Sequence, residues 1–108
     1  MLHQVTNKVV KAAKDSLGDK LDKVILYGSY ARGDYANDSD IDIMVLADIP
    51  LADRGIEREK IRKRLGYIDL EFEIVLSLNV TDCETFNTFL RVEPFFQNIL
   101  KDGVILSA

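Results

Sequence analysis

Apolar residues recur along this chain with two different periods, which predict helices and strands in alternation. In the first seventeen positions the spacing is three or four residues and predicts a helix that ends near Gly18: Val5, Val9, Ala12, Ala13, Leu17. An apolar run over residues 23–27 predicts a short buried strand, and residues 40–47 predict a second one. Between them, residues 29–32 suit a short helix and residues 33–39 a polar loop.

The second half of the chain shows the same alternation of periods. A loop with Pro50 over residues 48–55 leads into a predicted helix over 56–65 that ends at Gly66. Strict alternation over residues 67–76 predicts the longest strand. Thr81 or Asp82 is expected to cap the next helix, which contains Phe86, Phe89 and Leu90. A last helix over 95–101 follows Pro94 and ends at Gly103, and residues 104–106 suit a final strand. The order predicts an α/β or α+β fold, with helices packed on a small mixed sheet.

Composition limits the class of protein. The chain has 108 residues, of which 47% are hydrophobic and 30% charged, so residues 1–108 are predicted to form a single compact domain. The net charge of −4 argues against a protein that binds duplex nucleic acid, because such binding depends on neutralising phosphates. Cys83 is the only cysteine, which excludes an intrachain disulfide. No segment reads as a signal peptide or a membrane span, so we expect a cytoplasmic protein.

The chemistry-bearing feature of the sequence is a Gly28-Ser29 turn followed by Asp40 and Asp42. Small residues after a buried strand let the backbone approach a phosphate closely. The two carboxylates are one residue apart on the second strand, so they point to the same side. Magnesium prefers a few carboxylates together with phosphate oxygens and water. The alternative is an ordinary solvated strand start, where Asp is common. The pairing of the two features favours chemistry on a nucleotide.

Two further candidates lie outside the aspartate pair. Asp69, Glu71 and Glu73 share one face of the predicted strand over 67–76, so one of them is a candidate third metal ligand. The register that would decide among them is not fixed by sequence, and a solvated sheet face is the alternative for each. Arg32 follows the Gly-Ser turn by about one helical turn and is placed to contact a triphosphate. Its alternative is a surface ion pair with Asp34 or Asp38.

The spacing of Gly28-Ser29 and Asp40-Ile41-Asp42, with ten residues between, resembles the signature of the nucleotidyltransferase superfamily that includes DNA polymerase β and kanamycin nucleotidyltransferase. The fuller strings Gly-Ser-Tyr-Ala-Arg-Gly and Ser-Asp-Ile-Asp are most similar to the minimal nucleotidyltransferases, or MNT proteins. The resemblance implies that Asp40 and Asp42 hold two Mg²⁺ ions and that Ser29 and the Gly28 backbone grip the outer phosphates. It also implies a third carboxylate on the following long strand, for which Glu73 fits best, before Glu71 and Asp69.

The resemblance also implies an activity and a partner. The activity is transfer of a nucleoside monophosphate, first of all AMP from ATP, to a hydroxyl acceptor. In the family the acceptor is typically a tyrosine of a small helical HEPN protein encoded next door, which the MNT member silences as an antitoxin. The alternative is an MNT-like binding module that neutralises its partner by contact alone. The base preference and the acceptor are not specified by these residues.

Overall fold

A computed structural model describes residues 1–107 as one four-stranded sheet with helices on both faces. The helices are α1 (Leu2–Leu17), α2 (Ser29–Arg32), α3 (Arg54–Leu65), α4 (Ile68–Phe72), α5 (Cys83–Phe89) and α6 (Pro94–Asp102), and the strands are β1 (Leu21–Tyr27), β2 (Ile41–Ala47), β3 (Leu76–Asp82) and β4 (Val104–Ser107). The strand order is β3-β2-β1-β4. β1 is antiparallel to β2 and to β4, whereas β2 and β3 are parallel. The predicted mixed sheet with flanking helices is therefore confirmed.

Each face of the sheet buries its own set of apolar side chains, because strand residues alternate between the faces. One face packs against α1, α3 and α4, and its fully buried members include Ile41, Ile43, Val45, Val5, Val9, Ile61 and Ile68. The opposite face packs against α5 and α6 through a smaller cluster of Ile25, Met44, Leu46, Phe86 and Ile99. Burying each aliphatic side chain of this size contributes about 1.5–3 kcal/mol. Both layers therefore hold β1 and β2 rigidly in the middle of the sheet.

The segment at residues 67–76 corrects the sequence analysis. It is not a strand: α4 occupies Ile68–Phe72, and β3 begins only at Leu76. Ile68 is fully buried, while Leu70 is 79% exposed, so the apolar residues of this alternation do not share a buried face. Glu73 ends the helix in a left-handed conformation, with φ of 54°. The Leu76 N–H donates to Oδ2 of Asp69, and Arg62 donates to the Leu76 carbonyl oxygen, so α4 and α3 are both tied to the start of β3.

Most other predicted elements are confirmed. α1, β1, β2, the short α2 and α6 lie within a few residues of their predicted bounds, and Oδ2 of Asp82 accepts a hydrogen bond from the Thr85 N–H at 2.9 Å as the cap of α5. The third helix begins at Arg54, two residues earlier than predicted. Among residues 1–107, no helix combines the length and the apolar character needed to cross a membrane.

Candidate active site

The turn between β1 and α2 is built on Gly28. Its φ of 74° and ψ of −155° lie in a region that is essentially reserved for glycine. Its carbonyl oxygen accepts hydrogen bonds from the N–H groups of Ala31 and Arg32, both at 3.1 Å. A Cβ atom at this position would overlap Oδ2 of Asp42. The Asp42 carboxylate is therefore packed directly on the Gly28 backbone, which brings together the two features predicted from sequence.

Asp42 lies in a row of three residues that crosses the sheet. Tyr27 is its partner on β1, and Ser77 is its partner on β3. Burial raises the pKa of Asp42, and the charge of Asp40, exposed just before β2, raises it further. The Ser77 hydroxyl and the positive charge of Arg32 offset part of this rise. A half-buried carboxylate beside an exposed one of the same charge is a donor set that a divalent cation would stabilise, so Asp42 and Asp40 fit magnesium.

The predicted third carboxylate is not beside this pair. Within the described residues, 1–107, no three His, Cys, Asp or Glu side chains are grouped so that they could hold one metal ion. Asp69 is bound to Arg62 at 2.8 Å, and Glu71 lies exposed on α4. Glu73 lines a separate cavity of about 600 Å³ beside Tyr30 and Tyr35. The residue that β3 presents to Asp42 is Ser77.

Ser77 and its neighbour Asn79 are not among the predicted site residues, because the predicted strand lies too early in the chain. The pattern that would have identified them is the alternation of Leu76, Leu78 and Val80, all buried, with polar residues between them. The alternation over residues 76–80 continues the alternation over residues 67–76 without a break. The sequence pattern therefore does not show where the strand begins.

Tyr27 lies near polar side chains on the same face of the sheet. The Thr81 hydroxyl donates to Oδ1 of Asn79 at 2.8 Å, and Asn79 and Tyr27 line the same cavity. Burial raises the pKa of Tyr27, as does the nearby charge of Asp42, while Asn79 partly lowers it. The ring meets Phe95 edge-on, with centroids 5.8 Å apart. Tyr27 is thus a neutral hydroxyl at physiological pH, positioned next to Asp42.

Arg32 forms an ion pair on the surface and also lies near the aspartates, so both alternatives that the sequence offered for it have a counterpart in the structure. Its Nε donates to Oδ2 of Asp34 at 3.1 Å in an exposed ion pair. Its charge also lowers the pKa of Asp42, and it lines a cavity with Gly28. An exposed ion pair of this kind contributes little to stability, so the guanidinium remains available to an anionic ligand.

Two cavities meet at Tyr27. The smaller, of about 220 Å³, lies between the Gly28 turn and α6, and its wall includes Arg32, Phe95, Asn98 and Asp102. The larger, of about 440 Å³, lies between α3 and β3, and its wall includes Arg54, Arg58, Ser77 and Asn79. The row of Tyr27, Asp42 and Ser77 runs from one cavity to the other, because Tyr27 lines the smaller cavity and Ser77 lines the larger one. The arrangement offers room for two molecules that meet at the aspartates.

The chain is similar to several known proteins. A family model described as "Nucleotidyltransferase domain" matches residues 7–106. Two similar proteins of Methanocaldococcus jannaschii are named "Putative protein adenylyltransferase MJ0141", 39% identical over 68% of this chain and 73% of the relative, and "Putative protein adenylyltransferase MJ0604", 35% identical over 90% and 89%. A crystal structure of a toxin–antitoxin with AMP-PNP superimposes with a TM-score of 0.58 and 26% identity, and covers 95% of this chain and 73% of that one.

Proposed function

The chain belongs to the nucleotidyltransferase domain family, and we propose that it is a magnesium-dependent adenylyltransferase that transfers AMP from ATP to a hydroxyl group of a protein. One observation carries the proposal: the Asp42 carboxylate is packed on the backbone of the Gly28 turn. That contact joins a backbone suited to phosphates to a pair of carboxylates suited to a metal. Neither a structural protein nor a simple binding surface requires the two to be in contact.

Each residue of the site takes a role in this reaction. The Gly28 backbone, the Ser29 hydroxyl and Arg32 hold the outer phosphates of the triphosphate. Asp40 and Asp42 hold the magnesium ions, and Ser77 orients the Asp42 carboxylate. Bound magnesium supplies Lewis-acid stabilisation of the negative charge on the phosphates. The neutral Tyr27 hydroxyl is placed to donate a hydrogen bond to a phosphate oxygen.

The transfer itself is a displacement at the α-phosphorus. The acceptor oxygen forms a bond to that phosphorus, and the bond from the phosphorus to the oxygen that bridges to the β-phosphate breaks. Pyrophosphate leaves, and the acceptor proton passes to solvent. The protein contributes positioning and electrostatic stabilisation rather than a covalent intermediate, as is usual for phosphoryl-group chemistry.

The acceptor we propose is a tyrosine of a small helical HEPN-type partner, which the modification would silence. The names of the relatives support a protein acceptor, and the toxin–antitoxin neighbour with a bound nucleotide analogue supports an antitoxin role. The second candidate function is neutralisation of such a partner by contact alone. It is favoured by one observation, the grouping of only two carboxylates at Asp42 within the part of the chain that the structure describes.

Label transfer from α-labelled ATP separates the two functions. The protein, as wild type and as Asp42→Asn, is incubated with Mg²⁺, α-labelled ATP and any helical HEPN-type protein that a neighbouring gene encodes. Asp48→Asn is the matched control, because Asp48 is an exposed acid that follows β2 at its far end. We expect label on the partner with wild type and the control, and none with Asp42→Asn. A stable complex that neutralises the partner without any label would instead support neutralisation by contact.

The same assay tests the sequence-based assignment of Glu73. Because Glu73 lies after α4 and outside the row of Tyr27, Asp42 and Ser77, we expect Glu73→Gln to transfer label at nearly the wild-type rate. Loss of transfer in Glu73→Gln, with unchanged thermal stability, would restore it as the third ligand.

A further inference from the structure

Three arginines of α3 lie along the outer edge of β3. Arg54, Arg58 and Arg62 are four residues apart, so they share one side of the helix. Arg62 donates to the carbonyl oxygen of Leu76, and Arg58 donates through Nε to the carbonyl oxygen of Leu78 at 2.9 Å. These bonds occupy carbonyl groups on the open edge of the sheet. They also fix the guanidinium groups in place.

The three guanidinium groups differ in how far their charge is compensated. Arg62 forms a half-buried ion pair with Asp69 at 2.8 Å. Arg54 donates to the carbonyl oxygen of Leu51 and lies 3.8 Å from Oδ1 of the buried Asp82. Arg58 is held by a neutral carbonyl group, and its ion-pair contact is with Glu59 at 3.9 Å, whose side chain is 75% exposed. Its charge is therefore positioned by the fold but weakly neutralised.

Arg58 faces the larger of the two cavities at the site. Ser77 and Asn79 line the same cavity, and Ser77 is the β3 partner of Asp42. The smaller cavity shares Gly28 and Arg32 with the turn to which the triphosphate is assigned. In a transfer reaction the acceptor approaches the α-phosphorus from the side opposite to the leaving group. The cavity at β3 is therefore the open route to the aspartates for a second substrate.

We propose that this cleft between α3 and β3 is the acceptor subsite, and that it takes an acidic polypeptide segment that carries the acceptor hydroxyl. Arg58 is its anion-recognition residue, and Arg54 adds positive charge at the same wall. The inference rests on the proposed function and deepens it by naming the chemistry of the acceptor. A nucleic-acid acceptor is disfavoured, because its binding depends on many phosphate contacts, whereas the wall of this cavity carries two arginines, Arg54 and Arg58.

The first test is binding without nucleotide, so that it does not depend on catalysis. Fluorescence anisotropy compares two labelled peptides, Glu-Glu-Tyr-Glu-Glu and Lys-Lys-Tyr-Lys-Lys, and a short single-stranded RNA. We expect the acidic peptide to bind most tightly, with an affinity that falls as salt rises. Arg58→Gln should weaken that binding about tenfold, whereas Arg58→Lys should retain most of it. Arg64→Gln is the matched control, since Arg64 is an exposed arginine of the same helix outside this cavity.

The outcomes separate the inference from the proposed function. Equal binding of the acidic and basic peptides, or an unchanged affinity in Arg58→Gln, overturns the acidic acceptor subsite even if label transfer is observed. Binding of RNA alone, lost in Arg58→Gln, overturns the peptide in favour of a nucleic-acid acceptor. Acidic-peptide binding that depends on Arg58, without label transfer from ATP to any acceptor, supports the subsite and overturns the adenylyltransferase. Thermal unfolding of Arg58→Gln distinguishes lost binding from a lost fold.

Discussion

The Gly28 backbone and the Asp42 carboxylate are in direct contact, with no space for a side chain between them. This relationship makes the turn after β1 and the start of β2 one unit, although thirteen residues lie between Gly28 and Asp42 in the sequence. Any group placed at position 28 must displace the carboxylate that we assign to the metal.

Gly28→Ala should therefore remove activity. The backbone conformation alone costs about 1–3 kcal/mol for a residue with a Cβ atom, and the methyl group would also push Asp42 out of position. We expect a loss of label transfer of at least about a hundredfold, because small misplacements at a reacting centre have large effects. Gly18→Ala is the control: Gly18 also has a positive φ, but no atom lies within 4 Å of its Cβ position. Equal losses of activity in both variants would mean that strain, not the contact with Asp42, is responsible.

Magnesium should stabilise the fold through Asp42. A ligand that binds only the native state at about ten times its dissociation constant raises the free energy of unfolding by about 1.4 kcal/mol. For a domain of this size that is a rise of several degrees in the Tm. Scanning calorimetry with MgCl₂ or EDTA should show this shift in wild type and in Asp48→Asn. The same scan of Asp42→Asn should show almost none, and a full shift there would place the metal elsewhere.

Ser77→Asp should supply the carboxylate that β3 lacks. The new side chain would face Asp42 across the parallel pair of strands, since the two positions are in register. Without metal, the added like charge should lower the Tm. With Mn²⁺, we expect an affinity about tenfold higher than that of wild type, because a further carboxylate joins the donor set. Scanning calorimetry without metal measures the first effect, and isothermal titration calorimetry with Mn²⁺ measures the second, with Ser77→Asn as the uncharged control in both. Equal Mn²⁺ affinities in the two variants would mean that position 77 does not reach the metal.

Asp69 should make the free energy of unfolding depend on pH in the acid range. Burial acts to raise its pKa, but hydrogen bonds from the Leu76 N–H and from Arg62, with the charge of Arg62, hold that pKa below its usual value. Because the pKa of Asp69 is lower in the native state than in the unfolded state, its ionised form stabilises the fold. This stabilisation is complete above the unfolded-state pKa, near 3.9, and is lost as the pH falls through the native-state pKa. We expect Asp69→Asn to cost about 1 kcal/mol at pH 7, a moderate figure because the side chain is 38% exposed.

Urea unfolding at a series of pH values checks this prediction. The difference between wild type and Asp69→Asn should be constant near neutrality and should shrink below about pH 4. Asp15→Asn is the control, because its partner Lys11 forms an exposed ion pair within one helix, and it should be almost neutral at every pH. A difference that grows as the pH falls would contradict the assigned direction of the Asp69 shift.

The sequence predicted features that depend on neighbouring residues better than it predicted which residues pair across the sheet. Gly28-Ser29 and the aspartates are recognisable because turn chemistry and strand alternation act over a few residues. The prediction of a strand from Tyr67 to Leu76 is wrong because apolar residues alternate there as they do in a strand. Intrinsic helix propensity is too weak a signal to outweigh that alternation. What decides for a helix there is tertiary: Ile68 is buried in the core, and Asp69 binds both Arg62 and the start of β3.

The error in that segment carried over to the site. With the strand placed early, Asp69, Glu71 and Glu73 were the candidates for a carboxylate that faces Asp42, whereas the register puts Ser77 there. Register depends on which residues pair across strands far apart in the chain, and periodicity does not report it. The cleft formed with Arg58 was equally invisible, because its walls come from a helix and a strand that meet only in the folded protein.

Because β1 pairs with β4, the order of synthesis affects when the site can form. β1 carries the Gly28 turn at its end, and its outer neighbour is β4, at residues 104–107. On the ribosome, β1 and β2 emerge early and can form a hairpin, but one edge of β1 stays open until β4 has been synthesised. The contacts that close the sheet span most of the described chain, so their formation is slow compared with local turns. A nascent chain would therefore hold its two aspartates before the sheet that carries them is closed, and β1 with its Gly28 turn would become fixed on both edges only once β4 has paired with it.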